Sequence, residues 1–484
     1  HDTFVKLYKP QIQKDLIEGQ IYPALVTQIQ KDKGIAVVDL GYLQTNIDLQ
    51  EGWIKRFRDK EDKVSELKPQ DILKPGDVVE VSFSKTEITN PKTKVKTIQD
   101  VFAMDQTPEI EGAIVLLDPN SGKVLVTIGG YSYEKSVFNR VTQSFRQPGS
   151  AFKPIVYLTA IDAFDYTPAS IVHDEPRTYR VGDQYWSPGN FDEKYEGALT
   201  LRSALEKSRN LVSVEIVSKI GVDPVVRYAK KLGIESPIGK HLSIALGSSE
   251  VTLLELARAY GVFAAKGLLF NSTFITKITD RDGKVLYDYE AERLNSAQQV
   301  ISADTAFIMA NMMKGVVERG TATVVKAINR PAAGKTGTTN ECMDTWFIGY
   351  TPEWLAGVWL GFDQKKEIGK KETGGKIAAP IWLDLMRDFL DEQDKARYAK
   401  LVEDTKKEAE ELGIQYIAPP ENLPPADFLP TEGVEGVLID RLSGRVVPEG
   451  SEGGFLEYFK KGTAPKAGDV SSQETTSYLE SPDL

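Results

Sequence analysis

The sequence predicts an α+β protein in which helices pack on an antiparallel sheet, preceded by a small all-β barrel. Residues 1–106 carry strand and turn patterns, helical patterns dominate after residue 130, and strand patterns return near residue 345. This order of elements, strands followed by a helical block and then by further strands, is typical of a fold in which helices pack on one sheet. With 484 residues, 41% of them hydrophobic and 27% charged, the composition indicates a globular protein of more than one domain.

The first domain, residues 1–106 including a linker, is predicted to be a barrel of the OB kind. Its β-rich runs lie at residues 21–26, 34–41 and 78–83, and a Lys-Pro-Gly-Asp turn at 74–77 precedes the third run. OB barrels often bind oligonucleotides, but residues 1–100 hold 16 basic and 16 acidic side chains, and the whole chain has a net charge of -11. We therefore expect no nucleic-acid partner, and we expect this domain to dock a protein or to act as a spacer.

The second domain is predicted to span residues 107–464. It opens with a hairpin over residues 113–128, and Thr252 with Glu255 forms a capping box for a helix expected to run to Gly267. Strands are predicted at 345–350 and 354–360, a charged surface helix at 391–412 and a small hairpin around 439–444. The polar tail, residues 465–484, is predicted to be disordered.

Composition excludes several classes of site. Cys342 is the only cysteine, and the three histidines do not have zinc-ligand spacing, so we expect no disulfide, metal or cofactor. No apolar run is long enough to span a bilayer, and no signal peptide is recognisable. Because the chain begins with His1 rather than methionine, we expect it to be a processed or truncated piece.

Three short motifs together supply the groups for acyl transfer through a serine ester. In the first motif, Ser150 follows a Gln-Pro-Gly break and precedes an apolar helix, so it is expected at a helix N-terminus with Lys153 one turn later on the same face. Lys153 would be the base, provided that burial beside a second cation lowers its pKa, and Lys335 is the candidate cation. Alone, this motif is more often an N-cap serine with a surface lysine.

The second and third motifs supply the remaining groups. Ser208 is expected to relay a proton and Asn210 to bind the substrate amide, if their segment bends into the cleft. The third motif, residues 335–338, is expected at a sheet edge, where Gly337 would leave room for an extended peptide. Lys335, Thr336 and Thr338 would hold a carboxylate, and the backbone N–H groups of Ser150 and Thr338 would form an oxyanion hole.

Order and spacing make the combination specific. The second motif begins 58 residues after the first and the third 127 residues after the second, and the chain here strongly resembles the transpeptidase module of class A, bifunctional penicillin-binding proteins. The resemblance extends over residues 107–464 and includes the segments 138–140, 147–150, 246–252, 334–340, 346–352 and 378–382.

The resemblance implies a D,D-transpeptidase of peptidoglycan. Ser150 would attack a D-Ala-D-Ala stem peptide, an amine of a neighbouring stem would close the cross-link, and β-lactams would acylate Ser150. The resemblance also implies a glycosyltransferase module and a membrane anchor upstream of this sequence, on the periplasmic side of the bacterial inner membrane.

Other functions stay open at this point. A D,D-carboxypeptidase and a non-catalytic β-lactam sensor or scaffold would carry the same residues. A class A β-lactamase needs a deacylating glutamate, and the nearest candidate, Glu290, is off by one from the expected spacing. Cys342, just after the third motif, is expected to be a bystander near the mouth of the cleft.

Overall fold

The computed structural model describes residues 1–8, 15–49, 73–89, 96–420 and 423–466. It divides into two compact units, His1–Glu109 and Ile110–Leu484, close to the boundary that the sequence predicts at residue 106. All but the first two residues of the predicted disordered tail, 465–484, lie outside the described residues.

The first unit is built on one five-stranded antiparallel sheet. Its helix and strands are α1 Asp2–Tyr8, β1 Ile21–Gln30, β2 Ile35–Asp39, β3 Gln44–Asp48, β4 Val78–Thr89 and β5 Lys96–Asp105. The strand order is β3-β2-β1-β4-β5, and the end strands β3 and β5 approach to within 8 Å between Cα atoms. Alternate residues of β1, including Ala24 and Val26, point into a buried core. A five-stranded sheet curled in this way has the strand number of the predicted OB-like barrel.

The second unit contains a larger five-stranded antiparallel sheet with the order β16-β17-β18-β6-β7. Its strands are β6 Glu111–Leu117, β7 Val124–Ile128, β16 Ala333–Thr338, β17 Asp344–Tyr350 and β18 Leu355–Gly361. The predicted hairpin and the two predicted later strands are therefore confirmed. Because β16 lies at the end of this order, the third motif occupies an edge strand, as the sequence predicts.

Helices cover both faces of this sheet. The helices of the unit are α2 Lys153–Ala163, α3 Leu201–Glu206, α4 Asn210–Ile220, α5 Val222–Lys231, α6 Leu253–Ala264, α7 Tyr289–Ser296, α8 Ala303–Glu318 and α9 Ala379–Leu412. On one face Trp382 of α9 donates from Nε1 to the carbonyl of Ala356, and on the other face Leu253 of α6 lies against Gly357. Since adjacent residues of a strand point to opposite faces, the sheet is buried from both sides.

Short strand pairs complete the second unit. They are β8 Ile171–Asp174 with β11 Gly197–Thr200, β9 Tyr179–Val181 with β10 Gln184–Trp186, β12 Leu268–Leu269 with β15 Gln298–Gln299, β13 Lys277–Thr279 with β14 Val285–Asp288, and β19 Val434–Asp440 with β20 Gly454–Lys460. The last pair, β19 and β20, confirms the predicted terminal hairpin and is called the terminal hairpin below.

Two helix boundaries differ from the predictions. The capping box of Thr252 and Glu255 is present, but α6 ends at Ala264 and not at Gly267. Helix α9 starts at Ala379, twelve residues before the predicted charged helix, because its first turns are buried against the sheet and carry apolar side chains. Within the described ranges, none of the helices combines the length and the apolar character needed to cross a bilayer.

Candidate active site

Ser150 lies in a 3₁₀ turn, Gly149–Phe152, that leads directly into α2. Two hydrogen bonds hold this turn: the Tyr260 hydroxyl donates to the carbonyl of Ala151 at 2.6 Å, and Trp346 Nε1 donates to the carbonyl of Gln147 at 2.9 Å. The predicted position of Ser150 at a helix N-terminus is confirmed. The turn is therefore fixed to both the helical block and the sheet.

The Lys153 side chain is fully buried next to the second motif. Its Nζ donates to the Ser208 carbonyl at 2.5 Å and to Asn210 Oδ1 at 2.7 Å, and it lies 3.3 Å from Ser208 Oγ. Burial and, after it, the nearby charge of Lys335 hold the pKa of Lys153 well below its usual value. The structure thus meets the condition that the sequence sets for a lysine base.

Ser208 lies at a break between α3 and α4 and has a φ of 58°. Thr200 caps α3 by accepting from Ser203 N. The break was not predicted, and it turns the Ser208 side chain toward the two lysines. Lys335 Nζ donates to Ser208 Oγ at 2.9 Å.

Lys335 is buried within edge strand β16. Burial lowers its pKa from 10.5 to about 7. Two hydroxyls of the same strand also have partners: Thr336 Oγ1 lies 2.6 Å from Thr321 Oγ1, and Thr338 Oγ1 accepts from Gly374 N at 3.1 Å. Of the three groups predicted to bind a carboxylate, Lys335 contacts Ser208 directly, and Thr336 and Thr338 line the same cleft as Ser208.

Gly337 has a packing role that the sequence analysis did not predict. A Cβ at this position would collide with the carbonyl of Pro148 and would lie 3.0 Å from Ala151 Cβ and 2.9 Å from Trp346 Cβ. Pro148 and Ala151 belong to the segment that carries Ser150. Glycine therefore lets the Ser150 turn pack directly on β16, and its role in the approach of a peptide stays a prediction.

Replacing Gly337 by alanine is expected to destabilise the second unit by about 1–3 kcal/mol, because the extra methyl group overpacks the contact with Pro148. Thermal unfolding measures this effect. Gly112→Ala is the matched control, since a Cβ on Gly112 of β6 would meet its nearest neighbours at an ordinary 3.7 Å. Equal melting temperatures for the two variants would contradict the prediction.

A cleft of 710 Å³ lies over these groups. It is lined by residues of all three motifs: Ser150, Ser208, Asn210, Thr336 and Thr338. Lys153, Lys335 and Gly337 are not among its lining residues, and the two lysines are fully buried beside Ser208. Within the described ranges the Ser150 hydroxyl forms no hydrogen bond, and contacts of this kind often tighten only when substrate binds.

The structure adds residues that the motifs do not contain. Asn190 accepts from Asn210 N at 2.8 Å and donates to Asp174 at 2.7 Å, so it caps α4 from a distant loop. The residue at the N-cap itself is Arg209, whose guanidinium side chain can only donate hydrogen bonds and so cannot cap the helix. Asn190 lies twenty residues before Asn210, and nothing in the local pattern marks it.

Cys342 is buried in a turn that follows β16. Burial raises the pKa of its thiol, which favours the unreactive protonated form and agrees with the expected bystander. In the described part of the chain, no group of three or more His, Cys, Asp and Glu side chains could hold a metal ion. Glu290, on α7, pairs with Lys123 and is not among the residues that line the cleft.

The depressed pKa of Lys335 predicts a pH dependence of stability. Between pH about 7 and 10.5 the unfolded chain binds this proton and the folded protein does not, so the free energy of unfolding is expected to rise with pH in that window. Lys335→Met should flatten the rise in denaturant unfolding measured across the window. Identical slopes for the variant and the original chain would contradict the prediction.

Comparisons with known proteins find similar sequences and a matching family model. The model of the penicillin-binding protein transpeptidase domain matches residues 112–387. Penicillin-binding protein 1A of Rickettsia bellii is 33% identical over 412 residues, which cover 79% of this chain and 48% of that protein. Penicillin-binding protein 1A of Pseudomonas aeruginosa is 30% identical over 499 residues, 92% of this chain and 55% of that protein. The chain spans about half the length of these curated relatives.

Two solved structures are similar as well. Penicillin-binding protein 1A from Haemophilus influenzae superposes with a TM-score of 0.70 at 24% identity, over 96% of this chain and 66% of that chain, and shows the shared fold. PonA1 from Mycobacterium tuberculosis in complex with penicillin V gives a TM-score of 0.52 at 25% identity, over 59% of this chain and 79% of that chain. As the three motifs predict, the chain belongs to the penicillin-binding protein transpeptidase family.

Proposed function

We propose that this chain is a peptidoglycan D,D-transpeptidase that works through a serine acyl-enzyme. Ser150 Oγ attacks the carbonyl that joins the two D-alanines of a stem peptide, while Lys153 takes the hydroxyl proton. The bond to the terminal D-alanine breaks, and Ser208 passes a proton to the departing amine. An amine of a second stem peptide then attacks the ester, forms the cross-link and returns Ser150 to its starting state.

The observation that carries this proposal is the position of Ser208 between two buried lysines. Its carbonyl accepts from Lys153 at 2.5 Å, and its hydroxyl accepts from Lys335 at 2.9 Å. A buried amine with a lowered pKa can accept a proton near neutral pH, and a hydroxyl between two such amines can carry that proton onward.

Substrate recognition follows from the edge strand. An extended donor peptide can align beside β16, with its carboxylate near Lys335, Thr336 and Thr338 and its amide on Asn210. The turn before Ser150 comes close to Thr338, because a Cβ on Gly149 would lie 2.6 Å from the Thr338 carbonyl and 3.3 Å from its nitrogen. This proximity supports an oxyanion hole made of the N–H groups of Ser150 and Thr338.

The wider setting is part of the same proposal. The partners are peptidoglycan stem peptides and β-lactams, and the OB-like unit docks another protein rather than nucleic acid. The site of action is the periplasmic side of the bacterial inner membrane, with the anchor and a glycosyltransferase module upstream of this sequence.

The test is intact mass after exposure to a labelled penicillin, followed by peptide mapping. A long-lived adduct on Ser150 supports the proposal, whereas rapid turnover identifies a β-lactamase and an adduct elsewhere overturns the assignment. A donor peptide offered with a competing amine then separates the reactions: a cross-linked product supports the transpeptidase, and hydrolysis alone identifies a carboxypeptidase.

A further inference from the structure

Glu206 is a fully buried carboxylate that belongs to none of the three motifs. It is the last residue of α3, two residues before Ser208. Arg319, just after α8, donates from Nη2 to its Oε1 at 2.8 Å, and Arg441, from the segment between β19 and β20, donates to its Oε2. Its own backbone is closely packed too, because a Cβ on Gly320 would collide with the Glu206 carbonyl.

Arg319, which pairs with Glu206, belongs to a turn that also contacts the third motif. Arg319, Gly320 and Thr321 form one turn, in which Arg319 pairs with Glu206 while the hydroxyl of Thr321 lies 2.6 Å from that of Thr336. The turn 319–321 therefore touches the end of α3, two residues before the second motif, on one side and the third motif on the other. The two motifs lie 127 residues apart in the sequence, and this turn is a short bridge between them.

Ser208 needs such support. A φ of 58° is unfavourable for a serine and persists only where surrounding contacts impose it. The amides of Lys207 and Arg209 bond back to α3, to the carbonyls of Ser203 and Ala204 at 3.0 and 2.9 Å. Contacts that fix the end of α3 therefore also fix the Ser208 carbonyl, which Lys153 contacts, and the Ser208 hydroxyl, which Lys335 contacts.

We propose that Glu206 is a positioning residue that holds the second motif against the turn 319–321, and through it against the third motif. The inference rests on the proposed function for its kinetic consequence. If α3 loses this anchor, Ser208 moves relative to Lys153 and Lys335, and the acylation step slows while the cleft still binds its ligand. The terminal hairpin takes part through Arg441, although it lies beyond the region that the family model matches.

The variant Glu206→Gln can fold, because the side chains of Arg319 and Arg441 are 29% and 32% exposed and can turn to water. Displacements of about 1 Å in an active site can cost about 100-fold, so we expect the limiting rate of acylation by a fluorescent penicillin to fall about 10- to 100-fold with little change in binding. Arg441→Gln is a milder second variant and should shift the rate in the same direction.

Two further readouts separate positioning from general destabilisation. Lys153 would lose the Ser208 carbonyl that favours its charged form, so the acid limb of the rate should move to lower pH. Hydrogen exchange at the amides of Lys207 and Arg209 should become faster. Asp162→Asn is the matched control, since it removes a carboxylate that contacts Lys460 of the terminal hairpin at 3.2 Å and does not touch Glu206.

The proposal is supported if Glu206→Gln slows acylation, shifts the acid limb and speeds exchange at 207–209 while Asp162→Asn does none of these. It is overturned if exchange at these amides is unchanged in Glu206→Gln, or if Asp162→Asn gives the same loss of rate. Failure of the proposed function is a separate result: the original chain would then form no adduct on Ser150, and the exchange measurement would still decide the role of Glu206.

Discussion

Replacing Ser150 by alanine is expected to abolish the covalent penicillin adduct and to lower the acylation rate by about 10⁴-fold or more, since the remaining groups cannot form an ester. Stability should change by less than about 0.5 kcal/mol, because within the described ranges the Ser150 hydroxyl has no hydrogen bond to lose. The Ser150→Ala variant should therefore have the melting temperature of the original chain. It should show no penicillin adduct by intact mass.

Ser243→Ala is the matched control for this prediction. Ser243 also lines the cleft, but its hydroxyl lies 3.0 Å from Ser248 Oγ and 2.7 Å from His241 Nδ1, and it belongs to none of the motifs. We expect this variant to retain its adduct. A Ser150→Ala protein that still forms a stable adduct would show that another side chain is the nucleophile.

Local signals were sufficient for much of the fold. The capping box of Thr252 and Glu255, the break before Ser150 and the β-rich runs of both sheets depend on residues close together in the chain, and the structure has the elements that they predict. The start of α9 was not predicted, because only its charged second half has the pattern of a surface helix. Its apolar first turns are buried in the core.

Long-range contacts explain what the sequence could not predict. Glu206, two residues before the break at Ser208, pairs with Arg319 and Arg441, which lie more than a hundred positions away in the chain. Gly337 is another case, because the carbonyl that excludes a side chain there comes from Pro148. The motifs indicated which residues would converge, but contacts from outside the motifs, such as those of Glu206 and Asn190, could not be read from them.

Replacing Lys153 by methionine should have the second-largest effect. Neutral lysine has two N–H groups and one lone pair, and two strong acceptors, the Ser208 carbonyl and Asn210 Oδ1, lie at 2.5 and 2.7 Å from its Nζ. The lone pair is then left to accept a hydroxyl proton. Methionine keeps the volume but has no basic nitrogen, so we expect the acylation rate to fall by about 10²- to 10⁴-fold.

Stability should respond much less to this change than the rate does. Methionine leaves two buried acceptors without a donor, which costs about 1–3 kcal/mol. It also removes a buried amine whose charged form is strongly disfavoured, so the two effects oppose each other. Single-turnover acylation and thermal unfolding, measured on the same sample, separate the chemical effect from the structural one.

The variant Lys335→Met makes the role of Lys153 testable through the pH dependence of acylation. Its expected shift is opposite in direction to the one expected for Glu206→Gln. The charge of Lys335 is, after burial, the largest influence that lowers the pKa of Lys153, so its removal should raise that pKa. Lys153 would then be neutral only at higher pH, and the acid limb of the acylation rate should move upward. A Lys153→Met protein that acylates at the original rate, or an acid limb that does not move in Lys335→Met, would show that Lys153 is not the base.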